Sequence, residues 1–169
     1  VCCFGLSVVL PCPSVIEMAA LAGYDFVRID WEHALFGAIE LRELLNTARL
    51  VGMPCQVRVP ELTMITPLLG QEPAGIMVPH VESEKEARAA VDACRFQPLG
   101  RRGMDGNTRR MRCEGMTRRT YMEYQQENLD IVVQIESIPA MEKIDEILSL
   151  DGITMAATGR ADLSQELGF

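Results

Sequence analysis

Short apolar runs alternate with amphipathic stretches along almost the whole chain. Six runs read as strands: 4–10, Phe26–Asp30, 54–58, Gly75–Val78, 131–135 and 153–157. Most are apolar at successive positions and rich in β-branched residues, the pattern of strands covered on both faces. The stretches between them carry helix signals. Ser14 with Glu17 three residues on predicts a capped helix ending before Gly23. Ala38–Leu50 places Leu41, Leu44, Leu45 and Ala48 on one face, and Gly52 and Pro54 follow it. Ser83 and Glu86 repeat the capping pattern for a helix over 83–94, and Pro139 suits the first turn of one over 139–148.

Repeated strand–helix alternation predicts a parallel sheet with crossover helices in a single domain. Two architectures compete, an open doubly wound sheet and a closed (β/α)8 barrel. No Gly-x-Gly-x-x-Gly follows the first strand, and the polar residues with chemical potential sit at several strand ends rather than at one switch point. A TIM barrel distributes them that way. The expectation is α/β, a (β/α)8 barrel with about six of its eight units present. The chain opens inside its first strand and stops soon after Asp162, so the last two units are expected to be missing through truncation or omission.

Composition narrows the function. A net charge of -8 argues against nucleic acid and anionic membrane as partners. No apolar stretch approaches a membrane span, and the first residues lack the basic start and cleavage site of a signal peptide. The six cysteines form no C-x-x-C pair and fit no zinc spacing, so they read as reduced thiols packed as small apolar residues in a cytoplasmic protein. The segment 99–120 breaks the rhythm with seven arginines. It reads equally as a solvated loop and as a lid offering positive charge to an anionic substrate.

The chemistry gathers at strand ends. Glu136 follows the run 131–135, and Asp162 follows the run 153–157 by a few residues. Carboxylates on neighbouring strands of one rim suit Mg²⁺ or Mn²⁺, although each has a structural alternative: an arginine partner for Glu136, a helix cap for Asp162. Arg58 ends a buried strand and needs a carboxylate or an oxyanion; Asp30 and Glu32 are its structural alternatives. His33, one of two histidines, stands close enough to Asp30 for the carboxylate to orient the imidazole as a base. His80, after Val78-Pro79, is a secondary candidate. Lys85 and Lys143 lie on predicted helices, which disfavours a Schiff-base aldolase.

These residues stand in motifs that resemble the HpcH/HpaI aldolase family: Asp30-Trp31-Glu32-His33, Val57-Arg58-Val59-Pro60, Gly75-Ile76-Met77-Val78-Pro79, Pro98-Leu99-Gly100-Arg101-Arg102-Gly103, Gln134-Ile135-Glu136 and Gly159-Arg160-Ala161-Asp162-Leu163-Ser164. The resemblance covers nearly the whole chain in order. It implies a barrel of the phosphoenolpyruvate/pyruvate type and a class II aldolase cleaving 4-hydroxy-2-oxo acids to pyruvate and an aldehyde. Macrophomate synthase and the citrate synthase of staphyloferrin B assembly are relatives. The resemblance further implies Glu136 and Asp162 as ligands of Mg²⁺ or Mn²⁺, with Co²⁺ as a further candidate. By the same resemblance Arg58 contacts the keto oxygen, and His33 with Asp30 and Glu32 handles protons. Gln134 would lie beside the metal ligands, and the backbone around Gly159, Arg160 and Ala161 would hold the substrate carboxylate. A homo-oligomer, hexamer or dimer, is also implied. The chain departs from the family's usual pattern at Arg160, where proline is common, and in its basic loop. Its Val78-Pro79-His80-Val81 stretch is as similar to the citrate synthase branch as to the aldolases. Citrate synthase-like condensation of oxaloacetate with acetyl-CoA, and a non-catalytic binding or scaffold homologue, are therefore the competing readings.

Overall fold

The structure is a computed structural model and describes residues 2–169. Six strands, β1 (Gly5–Val8), β2 (Phe26–Asp30), β3 (Cys55–Arg58), β4 (Gly75–Val78), β5 (Asp130–Ile135) and β6 (Met155–Thr158), form one sheet in the order β1-β2-β3-β4-β5-β6. Every neighbouring pair is parallel. Sequential order with parallel pairing is the topology of a barrel wall, and the sheet is the curled six-strand part of a TIM-type barrel. β1 and β6 are its two edges.

Alternation along the strands divides the two faces. Val27, Ile29, Val57, Ile76, Ile131 and Val133 are fully buried and pack outward under the helices in one apolar cluster. The opposite positions face the concave side and include the polar Arg28, Gln56, Arg58 and Gln134 beside Met77. There Arg28 donates to Gln56 Oε1 (2.9 Å), and Gln56 Nε2 donates to Asp130 Oδ2 (3.3 Å). These bonds link residues of β2, β3 and β5.

The helices are α1 (Pro13–Leu21), α2 (Ala38–Leu50), α3 (Ile65–Leu69), α4 (Glu84–Cys94), α5 (Arg109–Cys113), α6 (Arg118–Asn128), α7 (Ile138–Glu142), α8 (Ile144–Leu148) and α9 (Arg160–Glu166). The bounds and buried face of α2 match the periodicity. In α4, Ser83 Oγ accepts the Glu86 N–H, whereas the Glu86 carboxylate turns to the Glu82 N–H. Two expectations change. Ser14 does not cap α1: the helix begins one residue earlier, at Pro13, with Cys12 at its cap. The stretch after β5 is two short helices capped by Ser137, broken at Lys143, rather than one continuous helix.

The segment 99–120 is not a lid over the carboxyl ends of the strands. It packs beside α3 and α6 on its own partners. Arg102 lies over the Phe96 ring (4.5 Å) and bonds Gln125 and Tyr121. Arg110 stacks on Tyr124 (4.3 Å), and Arg109 pairs with Glu114 (3.0 Å). Of the six cysteines, all free, only Cys55 and Cys94 are buried as expected of apolar packing; burial pushes both thiols up to about 12. Cys2, Cys3, Cys12 and Cys113 are exposed. No helix among the described residues is long and apolar enough to cross a membrane.

Candidate active site

At the carboxyl ends of β2, β3, β4 and β5 the polar side chains meet. Arg58 ends β3 and grips Asp30, which ends β2, with two donors: Nε to Oδ1 at 3.1 Å and Nη2 to Oδ2 at 2.5 Å. Its third arm, Nη1, faces Glu32 Oε2 at 3.1 Å and donates to Gln134 Oε1 at 3.4 Å. Gln134 Nε2 in turn bonds the Glu136 carboxylate. Asp30 and Glu136 are buried, with 6% and 4% of their surface exposed. Burial alone would raise the Asp30 carboxyl, but the hydrogen bonds and charge of Arg58 and the His33 N–H outweigh it and hold the group below its ordinary value. Burial opposes the Arg58 charge, yet Asp30, Glu32 and Glu136 lift it above the usual arginine value.

His80, a secondary candidate in the sequence, touches two of the carboxylates. It follows β4 in a left-handed conformation (φ 54°), which turns both its N–H and its ring toward the site. Its N–H donates to Glu136 Oε1 (2.7 Å), Nδ1 lies 2.9 Å from the same oxygen, and Nε2 lies 2.9 Å from Glu32 Oε1. The ring thus strings Glu32 to Glu136 across β4. The available signal was position: a histidine just past an apolar run, two residues beyond Val78.

His33 is placed differently from expectation. Asp30 Oδ1 accepts the backbone N–H groups of Glu32 and His33 at 3.2 Å each. Asp30 therefore shapes the turn rather than the imidazole. The His33 ring is open to solvent, with Nε2 3.6 Å from Glu32 Oε2.

On the next strand, Gly159 brings its backbone against Glu136. A Cβ there would overlap the Glu136 carboxylate and sit 2.8 Å from Gln134 Nε2, so only glycine permits the approach. Asp162 is not drawn in with Glu136. It lies exposed in the first turn of α9, bonded to no other described side chain and capping nothing; Gly159 stands at the cap. Arg160 and Ala161 open the same helix, also exposed. Below the rim, Arg28, Asp30, Arg58, Met77 and Gln134 line a cavity of about 200 Å³ on the concave side.

The charges do not balance. Asp30, Glu32 and Glu136 face the single guanidinium of Arg58, and Glu32 Oε2 is buried without a hydrogen bond. Three carboxylates against the one arginine they contact leave an excess of negative charge that an added cation would meet. Among the described residues, no three His, Cys, Asp or Glu side chains converge on one point. Glu32, His80 and Glu136 run in a chain through the two ring nitrogens instead.

A parallel barrel wall with a guanidinium, buried carboxylates and imidazoles at its carboxyl rim defines an α/β protein of the TIM-barrel class. The family is then plain: a model of the HpcH/HpaI aldolase/citrate lyase family matches residues 4–169, and the chain belongs to that family. It is 34% identical over 155 residues to a 2-keto-3-deoxy-L-rhamnonate aldolase of Salmonella gallinarum, covering 90% of this chain and 58% of the relative. A hydroxypyruvate/pyruvate aldolase of Sagittula stellata is 32% identical over 157 residues, covering 92% of this chain and 61% of the relative. Among solved structures, an HpcH/HpaI aldolase from Desulfitobacterium hafniense superposes with a TM-score of 0.89 at 29% identity, covering 98% of this chain and 65% of that one. The citrate synthase SbnG gives 0.87 at 31% identity, covering 98% and 64%. The chain thus spans about three fifths of the length of the curated relatives it matches.

Proposed function

We propose that this site is a divalent-metal-dependent carbon–carbon lyase centre that cleaves 4-hydroxy-2-oxo acids to pyruvate and an aldehyde through an enolate. The observation that carries the reading is the two-point grip of Arg58 on Asp30, which leaves Nη1 directed at the rim beside Gln134 and Glu136. Cleavage next to a 2-oxo acid leaves negative charge on the keto oxygen, and a fixed guanidinium at that position stabilises it.

A divalent cation suits the residues present. The excess of negative charge at the rim and the all-oxygen carboxylate donors favour Mg²⁺ or Mn²⁺. Glu136 would hold it, with Asp162, exposed in the first turn of α9, as the second ligand that the family resemblance implies. When bound, it supplies Lewis-acid polarisation of the keto oxygen.

The chain's own residues do the rest. Asp30 fixes the Arg58 fork, and Gln134 orients the Glu136 carboxylate. His80, between Glu32 and Glu136, and the solvent-facing His33 can carry a proton between the substrate hydroxyl and water. The backbone N–H groups opening α9 at Arg160 and Ala161 would donate to the substrate carboxylate. A small 2-oxo acid as substrate, a homo-oligomer and a cytoplasmic site of action, the last supported by six free thiols, complete the proposal.

The experiment is oxaloacetate decarboxylation and pyruvate release from hydroxy-oxo acids, measured with Mg²⁺, with EDTA and in Glu136→Gln. Loss of both activities with chelator and in the variant supports the metal-lyase reading. An unchanged rate in Glu136→Gln removes it. The similarity to the citrate synthase SbnG favours one second reading, condensation of oxaloacetate with acetyl-CoA. That reading predicts acetyl-CoA consumption indifferent to EDTA.

A further inference from the structure

Glu136, the carboxylate assigned to a divalent cation above, has protein on every side. Its Oε1 accepts the His80 N–H at 2.7 Å and has the ring nitrogen His80 Nδ1 2.9 Å away. Its Oε2 is bonded by Gln134 Nε2, and the Gly159 backbone lies so close that a methyl group there would overlap the oxygen. A carboxylate oxygen offers two lone pairs, so Oε1 is approached on both and Oε2 is flanked. The side chain is left only 3% exposed. A hydrated cation therefore reaches neither oxygen until one of these neighbours withdraws. They differ in their freedom to do so. Gln134 is buried and tied to Arg58 Nη1 at 3.4 Å. Gly159 is fixed by its N–H, which donates to the Ile135 carbonyl at 3.1 Å. The His80 N–H belongs to a backbone turn. The His80 ring alone is open, 61% exposed, with one further tie, Nε2 to Glu32 Oε1 at 2.9 Å. Rotation about its Cα–Cβ bond carries it outward without moving the sheet. Glu32 does not follow, because Arg58 Nη1 holds its other oxygen at 3.1 Å.

We propose that the His80 ring gates the cation site: it competes with the divalent cation for Glu136 Oε1 and swings toward solvent as the cation enters. The backbone N–H of the same residue stays behind and keeps the carboxylate in place. This role rests on the metal-lyase reading and adds to it, for it makes His80 a residue that limits cation affinity rather than a ligand. The apparent affinity falls with the fraction of molecules whose ring is turned inward. Displacing one contact of this kind corresponds to roughly a fivefold change in affinity.

The test is calorimetric titration of the 169-residue chain with Mn²⁺, in wild type, in His80→Gly and in His80→Gly combined with Glu136→Gln. Glycine accepts the φ of 54° at position 80 and retains the N–H, so the variant removes the ring and keeps the turn, which its thermal midpoint checks. His80→Gly should bind Mn²⁺ at least fivefold more tightly than wild type, and the double variant should lose that gain. Hexaamminecobalt(III), which does not exchange its ligands and responds to charge alone, should bind wild type and His80→Gly within twofold of each other. Mn²⁺ affinity unchanged or weaker in His80→Gly, a gain that survives Glu136→Gln, or an equal gain for hexaamminecobalt(III) would each overturn the gate. The lyase reading outlives those results wherever the wild type binds Mn²⁺. Failure of both the wild type and His80→Gly to bind Mn²⁺ overturns the gate and the metal site together.

Discussion

Gly159→Ala is the substitution most informative about how the site is held. The backbone at Gly159 (φ −91°, ψ 81°) is one that alanine tolerates, so the cost is steric alone. The new methyl would meet the Glu136 carboxylate first, with Glu136 Cβ at 2.5 Å and Gln134 Nε2 at 2.8 Å. Ordinary contact requires roughly 3.5–4 Å, so β6 or Glu136 must retreat by about 1 Å. Overpacking of this kind costs about 1–3 kcal/mol. A retreat of Glu136 would also stretch its bonds to the His80 N–H and Gln134, and misplacement by about 1 Å costs roughly 100-fold in rate. The control is Gly103→Ala, where a methyl meets nothing within 4 Å. Urea unfolding should show Gly159→Ala about 2 kcal/mol less stable than wild type and Gly103→Ala within about 0.5 kcal/mol of it. Equal stability of the two variants would refute the close approach of β6 to Glu136.

Three further outcomes follow from the geometry. Arg58→Lys replaces a two-point fork by a point charge and should lower turnover by about 100-fold, while costing about 1–3 kcal/mol of stability in urea; turnover within threefold of wild type would contradict the role of the fork. Asp30 has a depressed folded-state value, so its stabilisation is full above the unfolded carboxylate value of about 4 and is lost as pH falls through the folded one. The stability gap between wild type and Asp30→Asn should therefore be widest near neutral pH and narrow on acidification below about pH 4; a gap constant with pH would count against the Arg58 pairing. Arg95, 3% exposed, donates to the carbonyls of Gln125 (3.3 Å), Gln126 (2.9 Å) and Gly152 (3.2 Å). Arg95→Met should cost about 2–4 kcal/mol by urea unfolding with the Arg58 site unaffected, and a loss below about 1 kcal/mol would deny it this structural role.

The wall of the barrel was legible because its strands are buried on both faces, leaving unbroken apolar runs such as Ile131-Val132-Val133. Strand ends also explain why Asp30, Arg58 and Glu136 come together, since residues at matching depth on neighbouring parallel strands share a rim. What pattern could not convey was direction. Nothing in the order Asp30-Trp31-Glu32-His33 tells whether Asp30 bonds the ring or the backbone of His33; the turn decides, and it takes the N–H groups. The contacts of His80 were hidden for a similar reason, because its left-handed backbone is a property of the chain path. Short helices such as α5 and α9 lack a full amphipathic repeat, and the arginines of 99–120 showed their charge without showing that Glu72, Glu114, Phe96 and Tyr124 would absorb it.

The central claim, an enolate stabilised at the Arg58–Glu136 rim, is tested most directly by proton–deuterium exchange at the methyl carbon of pyruvate, followed by ¹H NMR in D₂O with Mg²⁺. The account predicts exchange well above the buffer rate, abolished by EDTA and reduced at least 100-fold in Arg58→Ala and in Glu136→Gln. Exchange at the buffer rate in the wild type, or exchange untouched by both substitutions, would contradict it.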